Sequence, residues 1–270
     1  MRIIDAHIHF CQEPYFDQIA EAAGHKNTSE HLEKQYGEHN IVHGVVMGNR
    51  SLQLNEHDYP DYLSYCIGLD STCFDANAVV QQAVLVEKHL QRKNCVGIKL
   101  YPGYNHFYVY DSLLDPFYQL AMQYKKTVAI HTGLTATSNA LLKYSHPLTL
   151  DEAAVRYPFV QFVMCHIGNP WLVDAIAVME KNKNVAADLS GILEGHIENM
   201  ADFFRKKRSY IDFIKGWLEY LGDYDRLLYG TDWPLANISN YIEFVAQIIP
   251  AQYHDKVFFD NANRIYKLGL

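Results

Sequence analysis

Ile3-Ile4-Asp5-Ala6-His7-Ile8-His9-Phe10 is the stretch on which the reading of this chain turns. It is apolar enough for a buried strand, and successive side chains of a strand point to opposite faces. Alternation assigns Ile3, Asp5, His7 and His9 to one side and Ile4, Ala6, Ile8 and Phe10 to the other, where the apolar set is expected to meet helices. The polar side then carries two imidazoles, two residues apart at a strand's carboxyl end, from which both can reach one ion at about 2.0–2.1 Å. Asp5, on the same face, is expected to orient an imidazole by accepting its other ring N–H. A pair of hydrogen-bonded core histidines is the alternative, and the spacing at a strand end favours the metal.

Seven further apolar runs follow: Ile41–Met47, Leu63–Leu69, Val96–Tyr101, Thr127–His131, Phe162–His166, Val185–Leu189 and Leu227–Thr231. With Ile3–His9 they make eight, each rich in Val, Ile, Leu or aromatics as a strand buried on both faces should be. Amphipathic stretches separate them, the pattern of repeated strand–helix units, so the expected fold is α/β, a single (β/α)8 barrel over residues 1–270. Asp75 is expected to cap a helix lined by Val79, Val80, Ala83, Val86 and Leu90, and Thr149 with Glu152 to form a capping box. Cys11 to Asn40 and Gly191 to Asp225 exceed a minimal connection, so helical insertions are expected after strands 1 and 7. Such insertions usually dress the active-site face.

Composition narrows the function classes. The chain has 270 residues, 49% hydrophobic and 20% charged, as in globular proteins. Lys and Arg number 23 against 31 Asp and Glu, and the net charge of −8 disfavours nucleic acid as a partner. No stretch approaches the roughly 18 consecutive apolar residues of a membrane span. An acid at Asp5 comes too early for a signal peptide, and the expected location is cytoplasmic. The five cysteines form no CxxC pair and are expected to be reduced core residues.

Four of the runs end in groups that can do chemistry. His7 and His9 close the first, His131 the fifth in His131-Thr132-Gly133, and His166 the sixth in His166-Ile167-Gly168. The eighth ends in Gly230-Thr231-Asp232-Trp233-Pro234. In a parallel barrel these residues converge on one mouth. Neutral imidazoles with one carboxylate leave a divalent metal with residual charge and an open position. Around them, Tyr101 and Tyr104 belong to an aromatic loop that can wall a planar substrate or pack on the surface, and Arg50 and Lys99 are cations that can meet a substrate carboxylate.

Together with Gly97-Ile98-Lys99-Leu100-Tyr101-Pro102 and Asn169-Pro170-Trp171, these motifs resemble the amidohydrolase superfamily, and most of all its amidohydrolase-related branch. That branch holds metal-dependent hydrolases, lactonases and non-oxidative decarboxylases such as aminocarboxymuconate-semialdehyde decarboxylase. The resemblance implies that His7, His9, His131 and Asp232 hold one Zn²⁺, or Mn²⁺ or another divalent ion, with His166 beside it as proton carrier. It implies a hydrolase of a small carboxylated cyclic or aromatic ester, lactone or amide. A decarboxylase, in which His166 or Asp232 moves the proton, is the alternative, and a metal-free lactonase or a non-catalytic binding barrel a remoter one. A TatD-like nuclease begins with a similar strand but calls for an acidic ligand where Lys99 stands. Other amidohydrolase branches carboxylate a strand-4 lysine to bridge two ions; the resemblance implies instead one metal and an unmodified Lys99. The expected partner is a small molecule, neither nucleic acid nor membrane, and a homo-oligomer is possible.

Overall fold

The computed structural model describes residues 1–11, 13–49 and 51–270. Eight strands run parallel in sequential order: β1 Ile3–Ile8, β2 Ile41–Met47, β3 Leu63–Leu69, β4 Cys95–Leu100, β5 Thr127–Ile130, β6 Phe162–Met164, β7 Val185–Asp188 and β8 Leu227–Leu228. The last strand is short, and the residues after it close the barrel against the first. Ala6 N donates to Tyr229 O at 2.9 Å, Asp232 N to His7 O at 2.8 Å and His9 N to Trp233 O at 2.7 Å.

The chain folds this way because each strand buries both faces. One apolar cluster takes Ile4 and Ala6 of β1, Val45 and Met47 of β2, Cys66, Val96, Ala129, Val163, Ala186 and Leu228, and so fills the barrel's inside. Ala262, Ile265 and Tyr266 join it. They plug the amino ends of the strands, where Thr127 Oγ1 donates to Ile265 O at 2.8 Å. A larger cluster joins the outward residues of the strands to the helices.

The insertions lie where expected. After β1 come α1 Pro14–Ala22 and α2 Ser29–Glu38; after β7 come α8 Met200–Lys206 and α9 Arg208–Leu221. The intervening helices are α3 Val79–Leu90, α4 Asp115–Tyr124, α5 Leu142–Ser145, α6 Thr149–Arg156 and α7 Leu172–Lys181, and α10 Ile238–Ile248 and α11 Asn261–Ile265 follow β8. Between β2 and β3 the described residues form only a 3-10 turn, Leu54–Glu56. None of the described helices is long and apolar enough to cross a membrane.

Three local expectations are corrected. Asp75 does not cap α3, which starts at Val79; its carboxylate instead accepts from Asn77 N at 2.8 Å, a local turn that competes with capping, and Val80 is 71% exposed. Thr149 is already inside α6, its hydroxyl donates back to His146 O at 2.8 Å, and Glu152 pairs with Arg156 at 3.0 Å, so no capping box forms. The third correction concerns β1, whose pairing with β2 shifts register between Asp5 and Ile8. An irregularity of this kind inserts a residue and breaks strict alternation. Ile4 and Ala6 face the interior while Asp5 turns away, taking hydrogen bonds from Thr231 N at 2.8 Å, Thr231 Oγ1 at 2.6 Å and Tyr36 of α2 at 3.3 Å. It orients no imidazole. Burial pushes its carboxyl up to about 7, against the pull of the Thr231 donors.

Candidate metal centre and cleft

The carboxyl ends of the strands carry a cluster of buried polar groups. His7 Nε2 lies 3.3 Å and His9 Nε2 3.2 Å from the same oxygen, Asp232 Oδ1. These three side chains offer ligand atoms all within 4.8 Å of one another. Among the described residues, His7 Nε2 and Asp232 Oδ1 are buried without a hydrogen-bond partner. Orphaned donors and acceptors of this kind are costly in a folded protein and call for an occupant. Two imidazole nitrogens and a carboxylate oxygen suit a borderline divalent ion such as Zn²⁺ or Mn²⁺.

The orientation of His7 is set by a residue the sequence reading passed over. Asp188, the last residue of β7, accepts from His7 Nδ1 at 2.9 Å through Oδ2, which leaves the proton on Nδ1 and the Nε2 lone pair bare. Its Oδ1 accepts from His166 N at 2.9 Å and from Ser190 Oγ at 2.5 Å. Ser190 Oγ in turn lies 2.9 Å from His166 Nδ1. The serine's single proton goes to the carboxylate, so His166 Nδ1 must donate to Ser190 Oγ, and His166 Nε2 is the basic atom. One carboxylate thus fixes two imidazoles. A signal was present, an acid within an apolar strand followed by Ser at the second position: Asp188-Leu189-Ser190.

His131 stands outside the His7–His9–Asp232 trio and contacts His166: its Nδ1 is 3.2 Å from His166 Nε2. Its Nε2 faces Leu134 O at 3.0 Å, and a carbonyl only accepts, so His131 Nδ1 is also bare. Two lone pairs at this separation need a proton or a cation between them. His131 therefore presents the atom a fourth ligand requires.

Electrostatics fit the same picture. Burial lowers His7 to about 4 despite the pull of Asp188, and lowers His131 and His166 as well, so these imidazoles are neutral near pH 7, as ligands must be. For Asp188 and Asp232 burial alone would raise the carboxyls. The neighbouring histidines, His7 foremost, hold both well below the usual carboxylate range.

Backbone strain gathers here. His166, Ile167 and Asp232 have φ of 60°, 43° and 58°. Left-handed conformations of non-glycine residues cost roughly 1–3 kcal/mol each and tend to sit at functional sites. Gly191, with φ of 62°, must be glycine, because a Cβ there would lie 2.6 Å from His166 Nδ1.

The cluster forms the floor of a cleft of about 180 Å³ lined also by Tyr15, Phe16, Lys99, Tyr101 and Tyr104. Tyr101 donates its hydroxyl to Gly48 O at 3.0 Å, so it offers the cleft its ring. Tyr104 packs its ring 5.0 Å from that of His131 and accepts Ala136 N at 2.8 Å. The aromatic loop divides: Tyr108 and Tyr110 stack on each other at 5.0 Å outside the residues that line the cleft. Lys99 is fully buried, its Nζ 2.8 Å from Cys165 Sγ. Arg50 lies outside the described residues. None of the five cysteines is in a disulfide.

A profile of the amidohydrolase family matches residues 4–268. No curated protein matches the chain. Among solved structures it is similar to an uncharacterised TIM-barrel protein from Bordetella bronchiseptica (18% identity, 99% of both chains, TM-score 0.72). It is also similar to a probable 2-pyrone-4,6-dicarboxylic acid hydrolase from Acinetobacter baumannii with citric acid bound (19%, 99% of this chain and 100% of that one, 0.64). A third is 5-carboxyvanillate decarboxylase from Novosphingobium aromaticivorans, complexed with manganese and 4-hydroxy-3-methoxy-5-nitrobenzoic acid (14%, 99% and 96%, 0.66). At these identities the likeness carries the barrel fold and leaves activity to the site.

Proposed function

The chain belongs to the amidohydrolase family, and from that premise we propose that it is a metal-dependent hydrolase of a small carboxylated cyclic or aromatic ester, lactone or amide. The observation that carries the reading is the pair of buried, partnerless atoms His7 Nε2 and Asp232 Oδ1 in a trio that fits a divalent ion. His7, His9 and Asp232 would hold one ion, Zn²⁺ or Mn²⁺, with His131 as the fourth ligand. The ion would supply Lewis acidity toward a substrate oxygen.

The chain's own residues do the rest. Asp188 and Ser190 keep the His166 proton on Nδ1 and turn Nε2 toward the cleft, so that His166 takes a proton from water and returns it to the leaving group. Tyr101 and Tyr104 flank a planar substrate. Lys99 is the cation on the described cleft wall for a substrate carboxylate.

A decarboxylase is the second reading, favoured by the manganese-containing 5-carboxyvanillate decarboxylase among the similar structures. There His166 or Asp232 would move the proton to carbon. The two readings separate when chain loaded with Zn²⁺ or Mn²⁺ is offered a panel of carboxylated lactones, esters and aromatic acids in ¹⁸O-labelled water. Hydrolysis places the label in the product acid. Release of CO₂ without label incorporation would replace the first reading with the second. Lys99→Met is expected to raise KM for the acid substrate at least tenfold more than for its neutral amide, and equal effects would leave Lys99 structural.

A further inference from the structure

Lys99 of β4 has no solvent exposure, and its hydrogen-bond partner among the described residues is Cys165 Sγ at 2.8 Å. Its Nζ also lies over the face of Tyr101, 5.1 Å from the ring centroid. Cys165 follows β6 and is equally buried, with Sγ within 4.8 Å of a His7 nitrogen and an Asp188 oxygen. Whether the pair is amine and thiol or ammonium and thiolate, a single proton lies between nitrogen and sulfur. The amine nitrogen already lies 2.8 Å from the sulfur it would join, while burial pushes the Cys165 thiol well above its ordinary range, and Lys99 lines the cleft through which a small oxidant would come.

We propose that Lys99 and Cys165 are a peroxide-sensitive pair that closes into a covalent sulfur–nitrogen bond across the barrel. In the first step the sulfur attacks one oxygen of hydrogen peroxide. The O–O bond breaks, an S–O bond forms, sulfur is oxidised to the sulfenic acid, and the peroxide is reduced to water. In the second step the Lys99 amine attacks that sulfur. An S–N bond forms, the S–O bond breaks, nitrogen gives up one proton, and a second water leaves. Thiol, amine and one peroxide thus give the sulfenamide and two waters, the condensation that sulfenic acids undergo with a backbone nitrogen made here with the lysine amine. The bond would tie β4 to the end of β6, passing over β5, and would take the lysine nitrogen away from a substrate carboxylate in the cleft. A thiol reductant would reopen it.

The pair is tested on the full chain, treated with hydrogen peroxide in the absence of thiols, digested with trypsin and read by mass spectrometry. The expected product is a joined pair of peptides containing Lys99 and Cys165, two hydrogens lighter than their sum. Cleavage after Lys99 should be lost, and both changes should reverse with dithiothreitol. Cys66 and Cys95, buried to the same degree, serve as internal controls that should form no such bond. Normal cleavage after Lys99 would overturn the proposal. So would Cys165 recovered only as the sulfinic or sulfonic acid, or Lys99 carrying an added CO₂. Because the wild-type digest decides the matter, the result does not depend on whether Cys165→Ser folds; where it does, the joined peptide should be absent.

Discussion

Behind β3 lies a second group of buried histidines, and it differs from the one at the barrel mouth in where the lone pairs go. His57 Nε2 faces Ser51 O at 2.8 Å and His89 Nε2 faces Leu52 O at 3.1 Å, so both are protonated there and donate to the connection that follows β2. Their Nδ1 atoms accept from Tyr59 at 3.0 Å and Tyr65 at 2.9 Å. Every ring nitrogen of this pair is satisfied by the chain itself. At the mouth, His7 Nε2 and Asp232 Oδ1 have no hydrogen-bond partner among the described residues, and His131 Nδ1 and His166 Nε2 meet lone pair to lone pair. Burial and a lowered pKa are common to both groups and so do not separate a structural histidine from a functional one. An unspent lone pair does.

The largest expected break of that contrast is His7→Ala. Losing one of few proposed ligands removes charge compensation and geometry together, so elemental analysis should find metal content near zero against the one equivalent expected of the wild type. Wild-type occupancy in the variant would mean that the bare nitrogen has another purpose. Next in size is Asp188→Asn. The amide can still accept from His7 but carries no charge, and partners that orient a ligating imidazole are worth roughly 10–100-fold in metal affinity. Titration against a competing chelator should show a loss of that order. An unchanged affinity would reduce Asp188 to a brace for the backbone of His166.

His89→Phe should do the opposite, leaving metal content untouched while lowering stability. The change strands Leu52 O and the Tyr65 hydroxyl, which costs about 1–3 kcal/mol in urea unfolding. It also predicts a pH effect of known sign. Burial holds His89 at about 4 against 6.5 in the unfolded chain, so the unfolded state binds the proton first as pH falls. The stability that this neutral imidazole contributes is complete above 6.5 and is lost as pH falls from there toward 4. The gap between wild type and variant should therefore be wider at pH 7 than at pH 5. A gap that widens on acidification, or metal loss in the variant, would erase the distinction between the two groups.

Much of the barrel was legible because its strands are buried on both faces: Ile41–Met47 and Leu63–Leu69 were delimited to the residue by composition alone. The positions of His7, His9, His131, His166 and Asp232 at strand ends were legible for the same reason. What escaped was whatever depended on geometry between strands. Strict alternation put Asp5 beside the histidines, and a register shift visible only in the pairing of β1 with β2 turned it outward. Asp188 read as one more residue of a strand, although its two oxygens hold groups from β1 and from the end of β6. Asp75 and Thr149 misled because side chains that can cap a helix can as readily close a local turn, and sequence does not rank the two.

The seam of the barrel gives the mouth one more property. Thr231 donates to Asp5 across 226 residues of chain, and the backbone bonds of His7, His9 and Asp232 are themselves part of the closure. Contacts between such distant segments are the kind whose loop-closure entropy must be met before they are rewarded. The trio of ligand atoms accordingly does not exist in a chain that has yet to bring its first and last strands together. Metal uptake by these residues would then act as an inspection step: only a barrel that has closed in the right register can pass it, and an ion once bound would clasp the two ends of the sheet.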